Sequence, residues 1–433
     1  MQFELGEKLE GFRREIRQWI LDHSPSGLAD LADWNAPVLG GTAGKGLEEA
    51  KASGCYRKWE SSLMAARLIC PQWPEAVGGR GLSSVEMAVV NEEFHRAGVP
   101  RVTRGMGELL VGPSVIVHGS DEQRARFLPR IITGEDLYCQ GFSEPDHGSD
   151  LAGIETRAVI DGEELVITGQ KVWTSGANGA NMMFLLCRTD PEAPRHHGIT
   201  YVIVPMFDNN IEIRPIRQMS GPAQFCQEFI SGARAPLSNV IGGINNGWRV
   251  AMTTLGDERA SRATVQHMAY EHEFWELVEL LRKNGKSTDP VTRQHLAWAY
   301  TEIALMRFSG ARMLAELAQE RRPEVALLLS KLQWSEYHKR FGELAMDLLG
   351  LDSLVLPDGS EYGLNRWQAV FLWSRAATIY SGTSEIQRNI IGERALGLPR
   401  EPAPGASPTH RGGRGGAQSR QGNGANRRDM DSN

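Results

Sequence analysis

Cysteine is scarce in this chain. The five thiols, Cys55, Cys70, Cys139, Cys187 and Cys226, are widely spaced and form no CxxC pair. An odd, sparse set fits reduced thiols better than a disulfide framework. No stretch reaches the roughly 18 uninterrupted apolar residues that a membrane helix needs, so no membrane span is expected. The opening Met-Gln-Phe-Glu-Leu-Gly-Glu lacks the cationic start and apolar core of a secretory signal. These absences lead to the expectation of a cytoplasmic protein. A basic excess is missing too: 47 Lys and Arg stand against 53 Asp and Glu, for a net charge of −6. That balance argues against nucleic-acid binding, and an anionic ligand would need a local cationic patch.

The common catalytic loops are also absent. Gly40–Gly46 resembles a phosphate loop, but Lys45 is followed by Gly46 rather than Ser or Thr. The 11 histidines include no HExxH, and His196-His197 reads as a surface loop, so no metal site is expected. There is no GxSxG elbow. Residues 401–433 contain no Leu, Ile, Val, Phe, Trp or Tyr. Such a tail cannot bury enough surface to offset its ordering entropy, and a solvated, disordered segment is expected. Its Arg-Gly-Gly-Arg-Gly-Gly at 411–416 is one short repeat without aromatics, a weak basis for an RNA-binding tract.

What is present is an α–β–α order. Phe3, Leu5, Leu9, Phe12, Ile16, Trp19 and Ile20 share one helical face. Residues 24–54 read as a loop, Trp59–Leu68 as helix, and 84–133 as helix interrupted at Gly112-Pro113, behind a capping box at Ser83-x-x-Glu86. Past Tyr138 the texture becomes β-rich, with runs at Glu164–Thr168, Ala180–Cys187, Ile199–Val204 and Ile211–Ile216. Helical periodicity returns from Trp248 to Leu396, with long runs at Val291–Leu317 and Val325–Leu349. The expected class is α+β, with an N-terminal helical domain at 1–135, a middle antiparallel β-domain at 136–243, and a C-terminal four-helix bundle at 244–400.

Two segments carry chemistry. In the first, Tyr138–Asp150 runs Tyr-Cys-Gln-Gly-Phe-Ser-Glu-Pro-Asp-His-Gly-Ser-Asp, followed by Gln170-Lys171-Val172-Trp173-Thr174-Ser175-Gly176. A turn and hairpin with Trp173 in a core would explain it structurally. Chemically, Ser143, Gly148 and Ser149 offer hydroxyls and close backbone approach to a planar heterocycle. Trp173 offers a face, and Thr174 and Ser175 short hydroxyl donors. The second segment is Tyr380-Ser381-Gly382-Thr383-Ser384-Glu385-Ile386-Gln387-Arg388. It reads as a helix start capped by Ser384-x-x-Gln387, with an exposed Ser-Gly-Thr before it.

This pair of segments resembles the acyl-CoA dehydrogenase family, FAD enzymes that desaturate acyl thioesters. Trp73-Pro74 with Gly78–Ser83, Gly221–Pro236 and Gly242–Leu255 extend the resemblance in order over about residues 60–400. The resemblance implies FAD binding by Gln140, Phe142, Ser143, Gly148 and Ser149, by Trp173, Thr174 and Ser175, and by Thr383 and Glu385. Ser175 stands for a more usual threonine, and Asp146-His147 for small residues. Arg282 and Gln294 correspond, at longer than usual spacing, to an Arg…Gln pair that reaches a neighbouring subunit's FAD. A family Gly-Gly appears as Leu349-Gly350. The resemblance further implies an acyl-CoA substrate near Ser149, Arg259, Ser381 and Gly382, an electron-transferring flavoprotein as acceptor, and a homo- or hetero-oligomer.

Ser381 stands where many members carry their catalytic glutamate, and a serine hydroxyl without a partner is too weak a base. The base must be a carboxylate raised toward neutrality by a desolvated pocket. Part of the family carries it in a Leu-x-x-Glu-Arg context, matched here by Leu255-Gly256-Asp257-Glu258-Arg259. Glu258 is the expected base, with Asp257 and Glu385 in reserve, although an exposed charged helical turn would also explain this run. Residues Leu351–Arg375 read as a long connection that shapes the acyl pocket for a branched or bulky chain. Two alternatives stay open: a non-catalytic or half-site subunit of a heteromeric complex, and an oxidase or flavin monooxygenase on the same fold.

Overall fold

The computed structural model describes residues 6–28, 53–263, 266–317, 319, 321, 324–355 and 363–399, with the backbone alone at 257–263 and 324. Most of the expected 24–54 loop and the whole 401–433 tail lie outside the described residues.

The N-terminal region packs α1 (Gly6–His23), α2 (Gly54–Ala65), α3 (Ser84–Ala97), α4 (Gly112–His118) and α5 (Asp121–Thr133). Trp59, fully buried, meets Trp19 at 5.4 Å and Phe94 at 5.9 Å between ring centroids. The capping box is present: Ser83 Oγ accepts from Glu86 N at 3.2 Å, and Glu86 Oε2 accepts from Ser83 N at 2.9 Å. The expected break at Gly112-Pro113 is not one. A π-turn at Gly107–Val111 runs straight into α4, and Pro113 stands inside this continuous helical run. The breaks fall instead at Gly98, left-handed with φ 69°, and at Gly119-Ser120. Gly112 is needed for packing, since a Cβ there would stand 1.9 Å from the Trp73 ring.

The middle region is one sheet in the order β6-β7-β3-β2-β4-β5-β8, with β1 also on β4. Its strands are β1 Tyr138–Gly141, β2 Arg157–Asp161, β3 Glu164–Ser175, β4 Met182–Arg188, β5 Ile199–Pro205, β6 Ile211–Ile216, β7 Phe225–Pro236 and β8 Val240–Ile241. Pairing is mainly antiparallel, but β1 runs parallel to β4, and β2 touches β4 in parallel at Arg157–Arg188. Side-chain alternation gives the sheet two apolar faces. Phe184, Leu186, Tyr201 and Ile203 join the N-terminal core, whereas Met183, Leu185, Val202 and Val204 form a second core behind them.

Among the described residues the C-terminal region holds four long helices, α6 (Gly247–Ala263), α7 (Gln266–Lys283), α8 (Pro290–Leu317) and α9 (Glu324–Leu349). Shorter α10 (Arg366–Ala377) and α11 (Ser384–Ile390) follow, and α11 continues into a π-turn at Ile391–Ala395. Tyr270, Leu277, Ile303, Tyr337 and Phe341 fill the bundle. Leu351–Arg375 is therefore not one long connection: Asn365 caps α10, and Trp367 and Trp373 are buried on that helix. Positions 356–362 of that span lie outside the described residues.

Candidate active site

β1 and β3 bring the first two motif pieces together. Val172 N donates to Ser143 O at 3.0 Å, and Lys171 Nζ donates to Phe142 O at 3.1 Å. The turn beyond Ser143 closes on itself, with Glu144 N to His147 O at 3.2 Å and the reverse bond at 3.1 Å. Gly148 and Ser149 follow, exposed, and a Cβ at Gly148 would meet nothing within 4 Å.

Beneath this turn lies a buried ion pair that the sequence reading passed over. Glu144 accepts from Lys171 Nζ at 2.8 Å, Glu155 N at 2.7 Å and Thr156 N at 2.9 Å. Burial pushes the Glu144 carboxyl up, but Lys171 and these N–H groups outweigh it and hold the group below the ordinary carboxylate range. The same burial pulls Lys171 down against the pull of Glu144.

Trp173 sits at a bulge. The β3–β7 register slips between Val172 and Thr174, and Trp173 has φ 64°, a conformation rare for a bulky residue. The bulge turns the indole outward, 59% exposed. Not every expected flavin contact stands beside it in the same way. Gln140 and Ser175 are half-buried on the strands, and Ser143 is pinned as above. The Phe142 ring is buried against Phe184 and Tyr201, at 5.5 and 6.2 Å. The Thr174 hydroxyl points inward and donates to Glu228 Oε2 at 2.5 Å.

The aromatic chain continues from Trp173 to the C-terminal motif. Phe225 meets Trp173 edge-on at 6.3 Å and stacks on Trp373 at 5.9 Å. Trp373 reaches Tyr380 at 6.3 Å, and Tyr380 reaches Trp334 at 6.2 Å. Two segments about two hundred residues apart thus line one region.

After Tyr380 the backbone turns through left-handed Ser381, φ 53°, and Gly382, φ 90°. Gln387 Nε2 holds this turn by donating to Ser381 O at 3.2 Å. The cap of α11 differs from the sequence reading: Thr383 accepts from Ile386 N at 3.2 Å, and Ser384 is already helical, donating to Glu336 Oε1 at 2.6 Å. Ser384 is buried inside the first turn, so its hydroxyl is taken by α9 rather than by a cap. Glu385 is exposed, and its own backbone N–H, then the Thr383 hydroxyl, draw its pKa below the ordinary value.

Glu258, Arg259 and the reserve Asp257 lie on α6, where only the backbone is described. The N-terminal part of that helix is anchored by Thr254, whose hydroxyl meets Ser114 Oγ at 2.7 Å. Arg282 and Gln294 lie exposed on either side of the α7–α8 corner, with the Arg282 guanidinium paired to Glu279. Gly350 is left-handed with φ 61°, directly after buried Leu349. Among the described residues no group of three His, Cys, Asp or Glu is arranged to hold a metal ion, and no helix is long and apolar enough to cross a membrane.

An outward indole, half-buried hydroxyls at Ser143 and Ser175 and an open approach at Gly148 suit a flat aromatic group with a polar edge. With this fold, they define the chain as a member of the acyl-CoA dehydrogenase family, whose proteins are FAD-dependent oxidoreductases. The N-terminal domain of that family matches residues 47–135, its middle domain 139–229, and its C-terminal domain 245–396. Acyl-CoA dehydrogenase IpdE1 of Mycobacterium tuberculosis is 41% identical over 395 residues, 91% of this chain and 99% of the relative. IpdE1 of Mycolicibacterium smegmatis is 40% identical over 404 residues, with 91% and 99% covered. A solved structure described as the Tcur3481-Tcur3483 steroid ACAD superposes with TM-score 0.76 at 29% identity, covering 93% of this chain and all 100% of its own. The ChsE4-ChsE5 complex from Mycobacterium tuberculosis gives TM-score 0.72 at 26% identity, with 93% and 100% covered.

Lys171, Glu144, Phe225, Glu228, Trp373 and Gln387 are the residues the motif reading missed. For Glu228 a signal existed. It alternates with Cys226 and Ile230 on β7, and period-2 spacing therefore places a carboxylate on the core face.

Proposed function

We propose that this chain desaturates a bulky, ring-bearing acyl-CoA at Cα–Cβ, with Glu258 as the base. Glu258 would take the α-proton as the Cα–Cβ double bond forms and the β-hydride departs. Bound FAD would supply the acceptor for that hydride. Trp173 and Ser175, with Gln140, Ser143, Gly148 and Thr383, would hold the flavin. Backbone N–H groups at Ser381 and Gly382 hold the thioester carbonyl and stabilise charge developing on its oxygen. Ser149 and Arg259 face the CoA. An electron-transferring flavoprotein reoxidises the cofactor.

The observation that carries this reading is shared packing: α6, with Glu258, and α11, with the Ser381 turn before it, both pack on α9. A carboxylate at 258 then complements its loss at 381. Glu385 is the weaker base, because its pKa is shifted down and its side chain is in water. Likeness to a protein described as a steroid ACAD supports a polycyclic acyl group. Anaerobic mixing of wild-type and Glu258→Gln protein with straight, branched and steroid-side-chain acyl-CoAs tests it. Undiminished flavin bleaching by the variant would sink the base assignment, and a preference for straight chains would sink the substrate class.

A second reading is a subunit of a heteromer that completes its FAD site only with a partner chain. It is favoured by the two-component descriptions of both structural relatives, and by Leu349 in place of glycine. Colourless protein that turns yellow only after co-purification with a second acyl-CoA dehydrogenase chain would establish it.

A further inference from the structure

We propose that Glu228 is a positioning residue of the flavin wall, its carboxyl group gripping the Thr174 hydroxyl behind the Trp173 bulge and placing an ionisable charge beneath Trp173 and Ser175. The proposal rests on the assignment of Trp173 and Ser175 to the flavin made above.

Glu228 is fully buried. Its Oε2 takes the Thr174 hydroxyl at 2.5 Å, while its Oε1 is buried without a hydrogen-bond partner. Across the ladder its register partner is Lys171, whose ammonium group is committed to Phe142 O and Glu144. One buried cation thus stands among two carboxyl groups that are unequally served. Glu144 has the ion pair and two backbone N–H groups, whereas Glu228 has one hydroxyl. Among the described residues the other titratable neighbours are thiols: Cys139 on β1 and Cys226 on β7 near Glu228, and Cys187 on β4 near Lys171. Burial raises all three, Cys187 to about 12, so they stay neutral and cannot compensate a carboxylate.

Burial is also the largest influence on Glu228. It outweighs Thr174, Lys171 and the residue's own backbone N–H and raises the carboxyl to about 7. Both forms are therefore populated near neutrality. The protonated form can turn its proton toward the orphan oxygen site, and the ionised form leaves an excess negative charge inside the sheet. Thr174 lies directly between Trp173 and Ser175 at the register slip, so a change in its hydrogen bond acts on both neighbours. A negative charge behind the wall opposes electron uptake in front of it.

The test is the flavin midpoint potential of the holoenzyme, followed by anaerobic dye-coupled reduction from pH 6 to 8.5. Glu228→Gln imitates the protonated form. Its potential should coincide with wild type at pH 6 and lie above it at pH 8.5, because only wild type gains the charge. Thr174→Val removes a bond that favours ionisation, and should move the wild-type break to higher pH. In the apo-protein, Trp173 emission, taken as the difference from Trp173→Phe, should titrate near neutrality in wild type and not in Glu228→Gln. Parallel potentials for wild type and Glu228→Gln across the range would overturn the proposal, as would an unmoved break in Thr174→Val. If Trp173→Phe and Ser175→Ala leave the bound flavin spectrum unchanged, the wall assignment itself fails and the proposal with it.

Discussion

Phe225 and Trp373 lie face to face, ring centroids 5.9 Å apart and planes 9° from parallel. One belongs to β7 of the sheet and the other to α10 of the helical bundle. Their contact joins the strand behind Trp173 to the helix that delivers Tyr380 and Ser381. A stacked pair in this position fixes the distance between the proposed flavin wall and the proposed thioester turn.

Breaking that contact should loosen both. Trp373→Ala is expected to destabilise the protein by about 3–5 kcal/mol, the range for large aromatic truncations in a core. A double-mutant cycle with Phe225→Leu should give a coupling of about 0.5–1.5 kcal/mol from denaturant unfolding. Zero coupling would mean that the stack fills space without linking the two regions.

Glu258→Gln should lower kcat about 10²–10⁴-fold while FAD stays bound, which stopped-flow bleaching and the resting flavin spectrum separate. Restoring a carboxylate at the other family position, in Glu258→Gln with Ser381→Glu, should recover part of that loss.

Gly382→Ala should reduce kcat/KM and cost at least about 1 kcal/mol of stability. Its φ of 90° disfavours any side chain, and a Cβ would stand 2.5 Å from Gln387 Nε2, the group that holds Ser381. Thermal unfolding and steady-state kinetics with one thioester check the two parts independently.

The two buried carboxyls should respond to pH in opposite senses. Glu144 is shifted below its ordinary 4.5, so its contribution is complete above that pH and lost as pH falls through the lower folded value. Glu144→Gln is therefore less stable than wild type at pH 7, and the gap narrows on acidification. Glu228 is raised from 4.5 to about 7, so its contribution is complete below 4.5 and lost as pH rises through 7. Glu228→Gln should match wild type near pH 4.5 and exceed it at pH 8. Melting temperatures from pH 4 to 8.5 distinguish the two, and a Glu228→Gln variant less stable than wild type at pH 8 would contradict the raised value.

Local patterning made much of this legible in advance. Capping at Ser83, the β5 and β6 runs and the long α8 and α9 periodicities all rest on neighbours within a few residues, so they agree with the structure to within a residue or two. Misreadings arose where a distant residue intervened. Gly112-Pro113 looked like a break, but Trp73 packs on Gly112 and the chain continues as helix. Ser384 looked like a cap, but Glu336 on α9 takes its hydroxyl, and Thr383 caps the helix.

By itself, the sequence determined the family and the order of its three regions. Glycine, proline and hydroxyl spacing around Ser143, Trp173 and Ser381 is a chain-local property. Only the tertiary structure decided which of these groups face one another. It turned the Trp173 indole outward and the Thr174 hydroxyl inward, and it stacked Phe225 on Trp373. It also placed Glu228 beside Lys171, in an interior where burial outweighs both partners. Desolvation depends on everything packed around a group, and no window of neighbouring residues contains that information.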